Sequence, residues 1–398
     1  MRILMLNNEF PPLGGGTGTA NHALLRNFAK IPELEVDLIT SALGKNKEEE
    51  KFSEHIRIFK VPVRNKNLHH SSNRELLSYA ARAFRVAWQR QRARHYDLCF
   101  AWSAVPAGFI ALALRKFTGL PYLVRVCGPD IPGFEERYQP LYPVLSPVIR
   151  AIWHNAAAVV AKSEGEREMI HALDSAIDVT LVPNGVDLNT FRPGVEIPDG
   201  GPLRLLCVAR LIERKGQHHL IEAVKRLVNR GVDVTLDLVG TGDARPKNEA
   251  QAERLGLNGR IKFLGYVPRE EIARHYADAH VFILPSYNEG MSIATLEAMA
   301  AGLTIVTTRT PGMTELIEEG VNGFTFAWAD VDALTKHLQR LATDRVLARR
   351  MGAASHSRAA NFSWATPAAL YLKVFESVAL PTSVLSSKTQ ESRLIDSK

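Results

Sequence analysis

The sequence predicts an α/β protein built from two doubly wound, Rossmann-like domains that face a central cleft. Near-continuous apolar runs alternate with amphipathic helical stretches, a pattern typical of parallel sheets covered by helices on both faces. The alternation stops at LVPNGVDLNTFRPGVEIPDGGPLRLL, which is rich in turn-forming residues, and then starts again. Ligands of such sheets bind outside the carboxyl ends of the strands, so the cleft is the expected site.

The first domain is expected over residues 1–182. Its predicted strands, in order, are RILML, EVDLIT, IRIFKV, DLCFA, PYLVRV and AAAVVAK. A glycine-rich loop follows RILML, and a helix is expected to open near Thr19. Such a loop lets the backbone approach a phosphate or a sugar closely. It fits neither the GxGxxG fingerprint nor the Walker A sequence.

The second domain is expected over residues 183–363. Its predicted strands are LRLLCVA, VTLDLVG, IKFLG, VFILP and LTIVTT, each followed by a helix. The stretch FSWATPAALYLKVFESVAL predicts one more helix, over 364–378, that packs back on the first domain. The Ser, Thr, Lys and Gln content of residues 381–398 predicts a disordered tail.

Composition narrows the class of protein. A hydrophobic fraction of 46% and a charged fraction of 23% are ordinary for a soluble globular protein. The apolar run of MRILMLNNEF is too short for a signal peptide, and no run reaches the roughly 18 apolar residues of a spanning helix. The three cysteines form no CxxC pair, which argues against a disulfide framework or a zinc site. We therefore expect a cytoplasmic protein.

The net charge of +7 is concentrated between residues 57 and 94, which indicates an anionic partner or surface. The stretch ELLSYAARAFRVAWQRQRAR has an apolar stripe and predicts a helix packed on the sheet. The alternative is that this helix also contacts anionic lipid at the inner face of a membrane. The basic residues for that contact are Arg82, Arg85, Arg90 and Arg92.

Two carboxylates stand eight residues apart in SYNEGMSIATLEAMAAG. Glu297 shares a helix face with Ile293 and Ala300, which suggests that it is buried. Burying a lone carboxylate costs several kcal/mol, so Glu297 needs partners. In one interpretation, Glu289 and Glu297 point to one pocket and bind the hydroxyl groups of a sugar or ribose, which leaves Glu297 underpaired without a ligand. In the other, Glu289 lies at the surface and Glu297 forms a structural ion pair.

The stretch from IKFLGYVP to NGFTF resembles the C-terminal domain of the retaining glycosyltransferases of family four, which have the two-domain GT-B fold. Their signature is an E-x(7)-E element, here Glu289 and Glu297. The resemblance implies that Glu297 holds the ribose of the donor nucleotide and that Glu289 contacts the donor sugar. The backbone N–H groups of Gly290, Met291 and Ser292 would then lie at a helix N-terminus, which favours polar ligand groups.

Two further segments carry the same resemblance, which extends over about residues 1–378. In VARLIERKGQ, Arg210 and Lys215 match the pair that contacts the donor diphosphate. Two cations in a loop after a strand can stabilise the charge of a departing diphosphate. The first loop also matches, and this implies that Gly15 and Gly16 contact the donor.

The chain departs from the family pattern at two places. Cys127, in VRVCGPD, stands where the family often has a histidine, and FAWSAVPAG lacks another frequent histidine. A catalytic histidine is therefore not expected, and transfer would depend on diphosphate stabilisation and front-face attack by the acceptor. Arg125, Cys127 and Asp130 are the candidate acceptor-side residues.

ADVDAL contains the triplet Asp330 to Asp332, which resembles the metal-binding triplets of other sugar transferases. Because the triplet begins a predicted helix, we interpret it as an N-cap with an acidic first turn, and we expect no metal.

Taken with the resemblance, these residues predict a retaining glycosyltransferase that is metal-independent and needs no cofactor. It would move a sugar from a nucleoside diphosphate sugar to a hydroxyl of a glycan or lipid-linked acceptor, in cell-surface polysaccharide or glycolipid biosynthesis. The expected catalytic residues are Arg210, Lys215 and Glu289, and no nucleic-acid partner is expected. The alternatives are a non-catalytic nucleotide-sugar-binding protein and a nucleotide-sugar epimerase or phosphorylase on the same fold. A dinucleotide oxidoreductase is disfavoured because the first loop lacks the fingerprint spacing.

Overall fold

The computed structural model describes residues 1–63, 65, 71–134, 136–194 and 196–379, and its chain divides into two units. Unit 1 contains Met1–Lys162, Arg167–Val182 and the chain from Ala365. Unit 2 contains Ser163–Glu166 and Pro183–Trp364. The predicted tail, 381–398, lies outside the described residues.

Unit 1 is built on an eight-stranded sheet. Its strands are β1 (Arg2–Leu6), β2 (Glu35–Ala42), β3 (Glu48–Lys51), β4 (Ile56–Pro62), β5 (Leu98–Trp102), β6 (Tyr122–Arg125), β7 (Ala158–Ala161) and β8 (Val179–Leu181). Their order across the sheet is β3-β4-β2-β1-β5-β6-β7-β8. Neighbours are parallel except β3 and β4, which are antiparallel. The sequence did not predict β3, because its EEEK run has no apolar face. Lys60 Nζ lies 2.7 Å from Glu50 Oε2 across this edge, so charge pairing supports the strand.

Helices cover both faces of this sheet. They are α1 (Gly16–Phe28), α2 (Asn73–Arg94), α3 (Phe109–Thr118), α4 (Tyr142–Asn155), α5 (Glu164–Leu173) and the C-terminal α12 (Ala365–Ala379). On one face, Tyr79 of α2 packs in a core with Leu6 of β1. On the other, the Phe100 ring of β5 lies 5.5 Å from the ring of Phe375 in α12, and Phe28 of α1 lies 5.7 Å from Phe375. The aromatic contacts therefore join α1, α12 and β5.

The basic helix α2 packs against the sheet of unit 1, and Arg90, one of its residues predicted to contact lipid, is engaged within the unit. Arg90 Nη2 lies 2.7 Å from Oδ2 of the buried Asp37, and the Arg90 guanidinium stacks 4.0 Å from the Phe59 ring centre. Arg90 is therefore part of the packing of unit 1. Arg82, Arg85 and Arg92 are exposed.

Unit 2 is built on a six-stranded parallel sheet with helices between its strands. The strands are β9 (Leu203–Val208), β10 (Val234–Val239), β11 (Ile261–Gly265), β12 (Val281–Leu284), β13 (Thr304–Thr308) and β14 (Gly323–Phe326). Their order is β11-β10-β9-β12-β13-β14. The helices are α6 (Gln217–Asn229), α7 (Arg245–Arg254), α8 (Arg269–Ala277), α9 (Ile293–Ala300), α10 (Val331–Thr343) and α11 (Arg345–Ala359).

The predicted cap at Asp330 is confirmed. Its side chain accepts a hydrogen bond of 2.9 Å from the Ala333 N–H at the start of α10, and Asp332 lies in the first helical turn. Among the described residues, no helix combines the length and the apolar character needed to cross a membrane.

Candidate active site

The sheet of unit 2 places two loops beside each other at its carboxyl edge. β9 lies between β10 and β12, so the chain order reverses there. The loop after β9 and the loop after β12 leave neighbouring strands at this point. Crevices at such reversals are where doubly wound sheets bind ligands.

A buried ion pair joins these two loops. Lys215, from the loop after β9, donates through Nζ to Glu289 Oε1, from the loop after β12, and both side chains are nearly buried. Burial raises the pKa of Glu289, but the Lys215 and Arg214 charges outweigh it and the pKa lies below its ordinary value. Burial lowers the pKa of Lys215. The sequence prediction named both residues but not their pairing.

Two more cations accompany Lys215. The charges of Arg210 and Arg214 both act on the Lys215 ammonium and lower its pKa after the effect of burial. The Arg210 carbonyl accepts a hydrogen bond of 2.9 Å from Gln217 Nε2, which ties the loop to the start of α6. Arg214 was missed in the sequence, although it adjoins Lys215. Lys215, Arg210 and Arg214 thus bring three cationic side chains near the Glu289 carboxylate.

The segment after Glu289 leads into the N-terminus of α9. Ser292 caps the helix by accepting a hydrogen bond of 3.2 Å from the Thr295 N–H. Asn184 Nδ2 donates to the Met291 carbonyl at 2.8 Å. A Cβ atom added at Gly312 would lie 0.7 Å from the Gly290 carbonyl oxygen. Ser292 is thus the N-cap residue of α9, and the carbonyl groups of Gly290 and Met291 before it face Gly312 and Asn184.

Glu297 has partners of its own on α8. The Tyr276 hydroxyl donates to Oε2 at 3.0 Å, and Arg269 Nη1 donates to Oε1 at 3.2 Å. Burial raises the pKa of Glu297, against the opposing effects of Arg269 and Tyr276. The expectation of an underpaired carboxylate is therefore wrong, and the alternative of a structural ion pair describes the donor-free protein. Arg269 and Tyr276 stand seven residues apart, on one helix face, which is a signal that the sequence offered.

The glycine-rich loop of unit 1 opens α1 three residues earlier than predicted. Gly15 is the N-cap residue and Gly16 begins the helix. The Gly15 N–H donates to Glu9 Oε2 at 3.4 Å, and Gly14 has a φ of +93°, a conformation that favours glycine. A Cβ atom added at Gly15 would meet no other atom within 4 Å, so the space beside this residue is open.

The predicted acceptor-side residues lie at the carboxyl edge of β6. The Arg125 guanidinium stacks 4.4 Å from the Trp102 ring centre, and its Nη1 lies 4.0 Å from Cys127 Sγ. Asp130 Oδ2 accepts a 2.9 Å hydrogen bond from the Cys127 N–H. Burial raises the pKa of Asp130 to about 7, against the opposing backbone hydrogen bonds and the charge of Lys162. A carboxyl group with this pKa can exchange a proton near neutral pH.

The structure thus brings Arg210, Lys215 and Glu289 together in unit 2, with the Gly290–Ser292 backbone next to them along the chain. Gly15 and Gly16 follow β1 of unit 1, and Arg125, Cys127 and Asp130 are grouped around the end of β6. No group of three His, Cys, Asp or Glu side chains that could hold a metal ion is found in the described part of the chain.

Known proteins and protein-family models match most of the chain. A family model described as Glycosyltransferase Family 4 matches residues 14–190, and one described as Glycosyl transferases group 1 matches residues 191–358. The GDP-mannose-dependent alpha-(1-6)-phosphatidylinositol monomannoside mannosyltransferase of Mycolicibacterium smegmatis is 26% identical over 386 residues, 92% of this chain and 95% of that protein. The amylovoran biosynthesis glycosyltransferase of Erwinia amylovora is 37% identical over 147 residues, 35% of this chain and 36% of the relative.

Among solved structures, sucrose-phosphate synthase from Thermosynechococcus elongatus superposes with a TM-score of 0.83, at 22% identity, over 94% of this chain and 98% of that one. This likeness, with the two α/β sheets, shows the GT-B fold. The adjoining family models and the relative that matches along its length show that the chain belongs to the family-four glycosyltransferases, which build glycans from nucleotide-sugar donors.

Proposed function

We propose that this glycosyltransferase is a retaining enzyme that transfers a sugar from a nucleoside diphosphate sugar to a hydroxyl group of a glycan or a lipid-linked acceptor. The product would enter cell-surface polysaccharide or glycolipid biosynthesis. One observation carries the proposal: a cationic loop and a paired carboxylate meet at the strand-order reversal of unit 2.

Arg210 and Lys215 would bind the donor diphosphate. In the reaction, the bond between the anomeric carbon and the diphosphate oxygen breaks, and negative charge grows on that oxygen. Fixed cations in a partly buried loop stabilise such charge more strongly than water does. The acceptor hydroxyl attacks the same face of the sugar, and its proton passes to the departing diphosphate. The new glycosidic bond then keeps the anomeric configuration of the donor.

The remaining unit 2 residues would position the donor. Glu289, held by Lys215, and the Gly290–Ser292 backbone would orient the sugar hydroxyls. Glu297 would hold the ribose, with a ribose hydroxyl sharing or replacing one of its present partners, Arg269 or Tyr276. In unit 1, Gly15 and Gly16 are the proposed donor-binding residues, and Arg125, Cys127 and Asp130 are the proposed acceptor-binding residues. No step in this scheme requires a metal ion or a cofactor.

The test is a transfer assay with GDP-mannose and UDP-glucose as donors and octyl glycosides as acceptors. We expect Arg210→Ala and Lys215→Ala each to lower turnover at least about tenfold, because each removes charge stabilisation. Lys336→Ala, on the exposed face of α10, is the matched control and should keep wild-type turnover. Near-normal turnover in both site variants, or a product of inverted anomeric configuration by NMR, would refute the proposal.

The same assay separates the rival functions. A non-catalytic nucleotide-sugar-binding protein would be stabilised against heat by GDP or UDP but would yield no glycosylated acceptor. An epimerase would change the donor sugar without an acceptor.

We further propose that the enzyme works at the inner face of a membrane, with α2 near the lipid. The support is the row of exposed basic residues on that helix, Arg82, Arg85 and Arg92. Anionic lipid attracts such residues by about 1 kcal/mol each.

A further inference from the structure

A partly buried tryptophan, Trp328, lies beside the loops that carry Lys215 and Glu289. It follows β14 at the carboxyl edge of the unit 2 sheet, the same edge at which those two loops leave β9 and β12. The proposed transfer gives this residue no role. Its indole ring nevertheless contacts both loops.

On the loop after β9, the ring lies against Gly216, the residue that follows Lys215. Gly216 has a φ of +69°, and it ends the short turn Glu213–Lys215 and precedes α6. A Cβ atom added at Gly216 would lie 2.8 Å from Trp328 Cζ3 and 2.0 Å from the Pro285 carbonyl oxygen. The backbone beside Lys215 is therefore held between the indole ring and the first residue after β12.

On the loop after β12, the ring contacts Tyr287, two residues before Glu289. The two ring centres lie 5.4 Å apart in an edge-to-face arrangement, which aromatic pairs favour. The Tyr287 N–H donates to the Arg214 carbonyl at 2.7 Å, so a backbone hydrogen bond also joins the two loops. The indole ring lies 5.0 Å from the His219 ring in the first turn of α6. Trp328 thus contacts both loops and the helix that follows the first of them.

The turn that carries Trp328 has its own internal support. The Asp330 N–H donates to the Ala327 carbonyl at 3.0 Å, and the Asp330 side chain caps α10. Ala329 has a φ of +61°, which is unfavourable for a residue with a Cβ atom. Such a conformation persists where the surrounding structure determines it. The indole ring is therefore presented to the two loops from a well-determined turn.

Lys215 and Glu289 depend on such support for their geometry. They form an ion pair across two loops, and loops are more mobile than the elements they connect. A displacement of about 1 Å at a catalytic group can lower a rate about a hundredfold. A ring that packs on both loops limits this displacement without touching the substrate.

We propose that Trp328 is a positioning residue, whose indole ring holds the loop after β9 against the loop after β12 and so keeps Lys215 in place for the donor diphosphate. The inference rests on the proposed function, since it uses the role in transfer that is given there to Lys215. Because Trp328 acts through Lys215, its effect on transfer should disappear when the Lys215 side chain is removed.

The first test follows amide hydrogen exchange of the whole protein by mass spectrometry, without substrate. Trp328→Ala removes the ring, or Trp328→Leu if the alanine variant does not fold, and Trp328→Phe keeps a smaller ring. The matched control is Phe324→Leu, because Phe324 is buried on β14 and its ring centre lies 4.6 Å from that of His337 in α10.

We expect Trp328→Ala to exchange at least about tenfold faster than wild type in residues 210–217 and 285–292, because local opening sets the rate there. Trp328→Phe should stay within about threefold of wild type in both segments, and Phe324→Leu should match wild type there. Equal exchange of wild type and Trp328→Ala in both segments overturns the proposal.

The transfer assay gives the second readout, with every variant measured well below its melting temperature. We expect Trp328→Ala to lower turnover at least about tenfold, Trp328→Phe to retain most of it, and Phe324→Leu to lower the melting temperature but not turnover. Trp328→Ala combined with Lys215→Ala should be as active as Lys215→Ala alone, because residues that act through one another are not additive. Additive losses, or a loss in Trp328→Ala no larger than in the control, overturn the positioning role.

The two readouts also separate this inference from the proposed function. Wild-type protein that transfers no sugar, or normal turnover in Lys215→Ala, refutes the role of Lys215 in transfer, and the exchange rates then decide alone whether Trp328 holds the two loops. Unchanged exchange in Trp328→Ala, together with a loss of turnover in Lys215→Ala, overturns the role of Trp328 and leaves the proposed function standing.

Discussion

At the scale of single residues, Glu297 is a buried carboxylate that is already paired by other groups of the protein. Its two oxygens are bound by Tyr276 and Arg269 before any donor arrives. Burial of the charge is therefore compensated within unit 2, and the ribose that we propose to bind there must compete with a group of the protein or add to it. The carboxylate is prepared in position by α8, and preorganised groups need little rearrangement when the ligand binds.

We expect Glu297→Gln to lower the melting temperature of the ligand-free protein by a few degrees. The amide keeps the volume, but it loses the charge that faces Arg269 and presents donors where the carboxylate accepted. Since Arg269 is about one third exposed, the loss is about 1–2 kcal/mol. Differential scanning calorimetry measures it, with Tyr276→Phe as the control that removes only the hydroxyl bond. An unchanged or raised melting temperature for Glu297→Gln contradicts the structural role.

The raised pKa of Asp130 predicts how the stability of the folded protein depends on pH. Its pKa is about 7 in the folded protein, because burial disfavours the charged form, and about 3.9 in an unfolded chain. Between these values the folded state holds the extra proton, so this group makes stability fall as pH rises from about 4 to about 7. The slope is at most about 1.4 kcal/mol per pH unit.

Asp130→Asn cannot titrate, so its stability should vary less over that pH range than that of wild type. Urea unfolding at several pH values measures the difference, and Asp243→Asn, at an exposed carboxylate, should follow the wild-type curve. Parallel curves for Asp130→Asn and wild type would mean that Asp130 is ionised throughout.

At the scale of secondary-structure elements, α2 shows where sequence patterns succeed and where they fail. The helix and its basic surface were predictable from the spacing of apolar and basic residues. Its most buried positions include Ala83, Ala87 and the polar residue Tyr79. The Tyr79 hydroxyl donates a hydrogen bond of 2.9 Å to the Ile39 carbonyl. The polar end of this side chain therefore has a hydrogen-bond partner inside the core. The role of Arg90 depends on Asp37, 53 residues away, which no local pattern reveals.

The exposed arginines of α2 yield a prediction about membranes. We expect the triple variant Arg82→Ala, Arg85→Ala and Arg92→Ala to bind phosphatidylglycerol vesicles more than tenfold more weakly than wild type, at about 1 kcal/mol for each residue. The melting temperature should change little. Cosedimentation at low and at high salt measures the binding, because the attraction is screened.

Arg90→Ala serves as the contrasting variant. It should destabilise unit 1, since it leaves Asp37 without one of its arginine partners. Equal vesicle binding by wild type and the triple variant would exclude α2 as the lipid contact.

At the scale of the whole molecule, the fold class followed from the alternation of apolar runs and helices, and every predicted strand is present. The short strands β3, β8 and β14 were not predicted, because three or four residues carry too little periodicity to stand out. The candidate site was predictable as a set of loops after strands. The pairing of Lys215 with Glu289 was not predictable. It requires β9 and β12 to be neighbours, and the order of strands in a sheet cannot be inferred from a short stretch of sequence.

The residues named for transfer also predict how the whole enzyme responds to chelation. Transfer should survive EDTA, because the proposed charge stabilisation comes from Arg210 and Lys215. A transfer assay in EDTA, with and without added manganese, measures this dependence. Loss of activity in EDTA that manganese or magnesium restores would show that the diphosphate needs a cation besides these side chains.

Unit 1 is formed by segments from both ends of the chain, and this affects how it folds while the protein is being synthesised. Its helix α12, which packs on Phe28 and Phe100, follows all of Pro183–Trp364 in the chain. A ribosome that adds 5–20 residues per second needs roughly 10–40 s to traverse that stretch. During this interval the aromatic surface of α1 and β5 is uncovered on the nascent chain. Unit 1, although it is made first, is completed last.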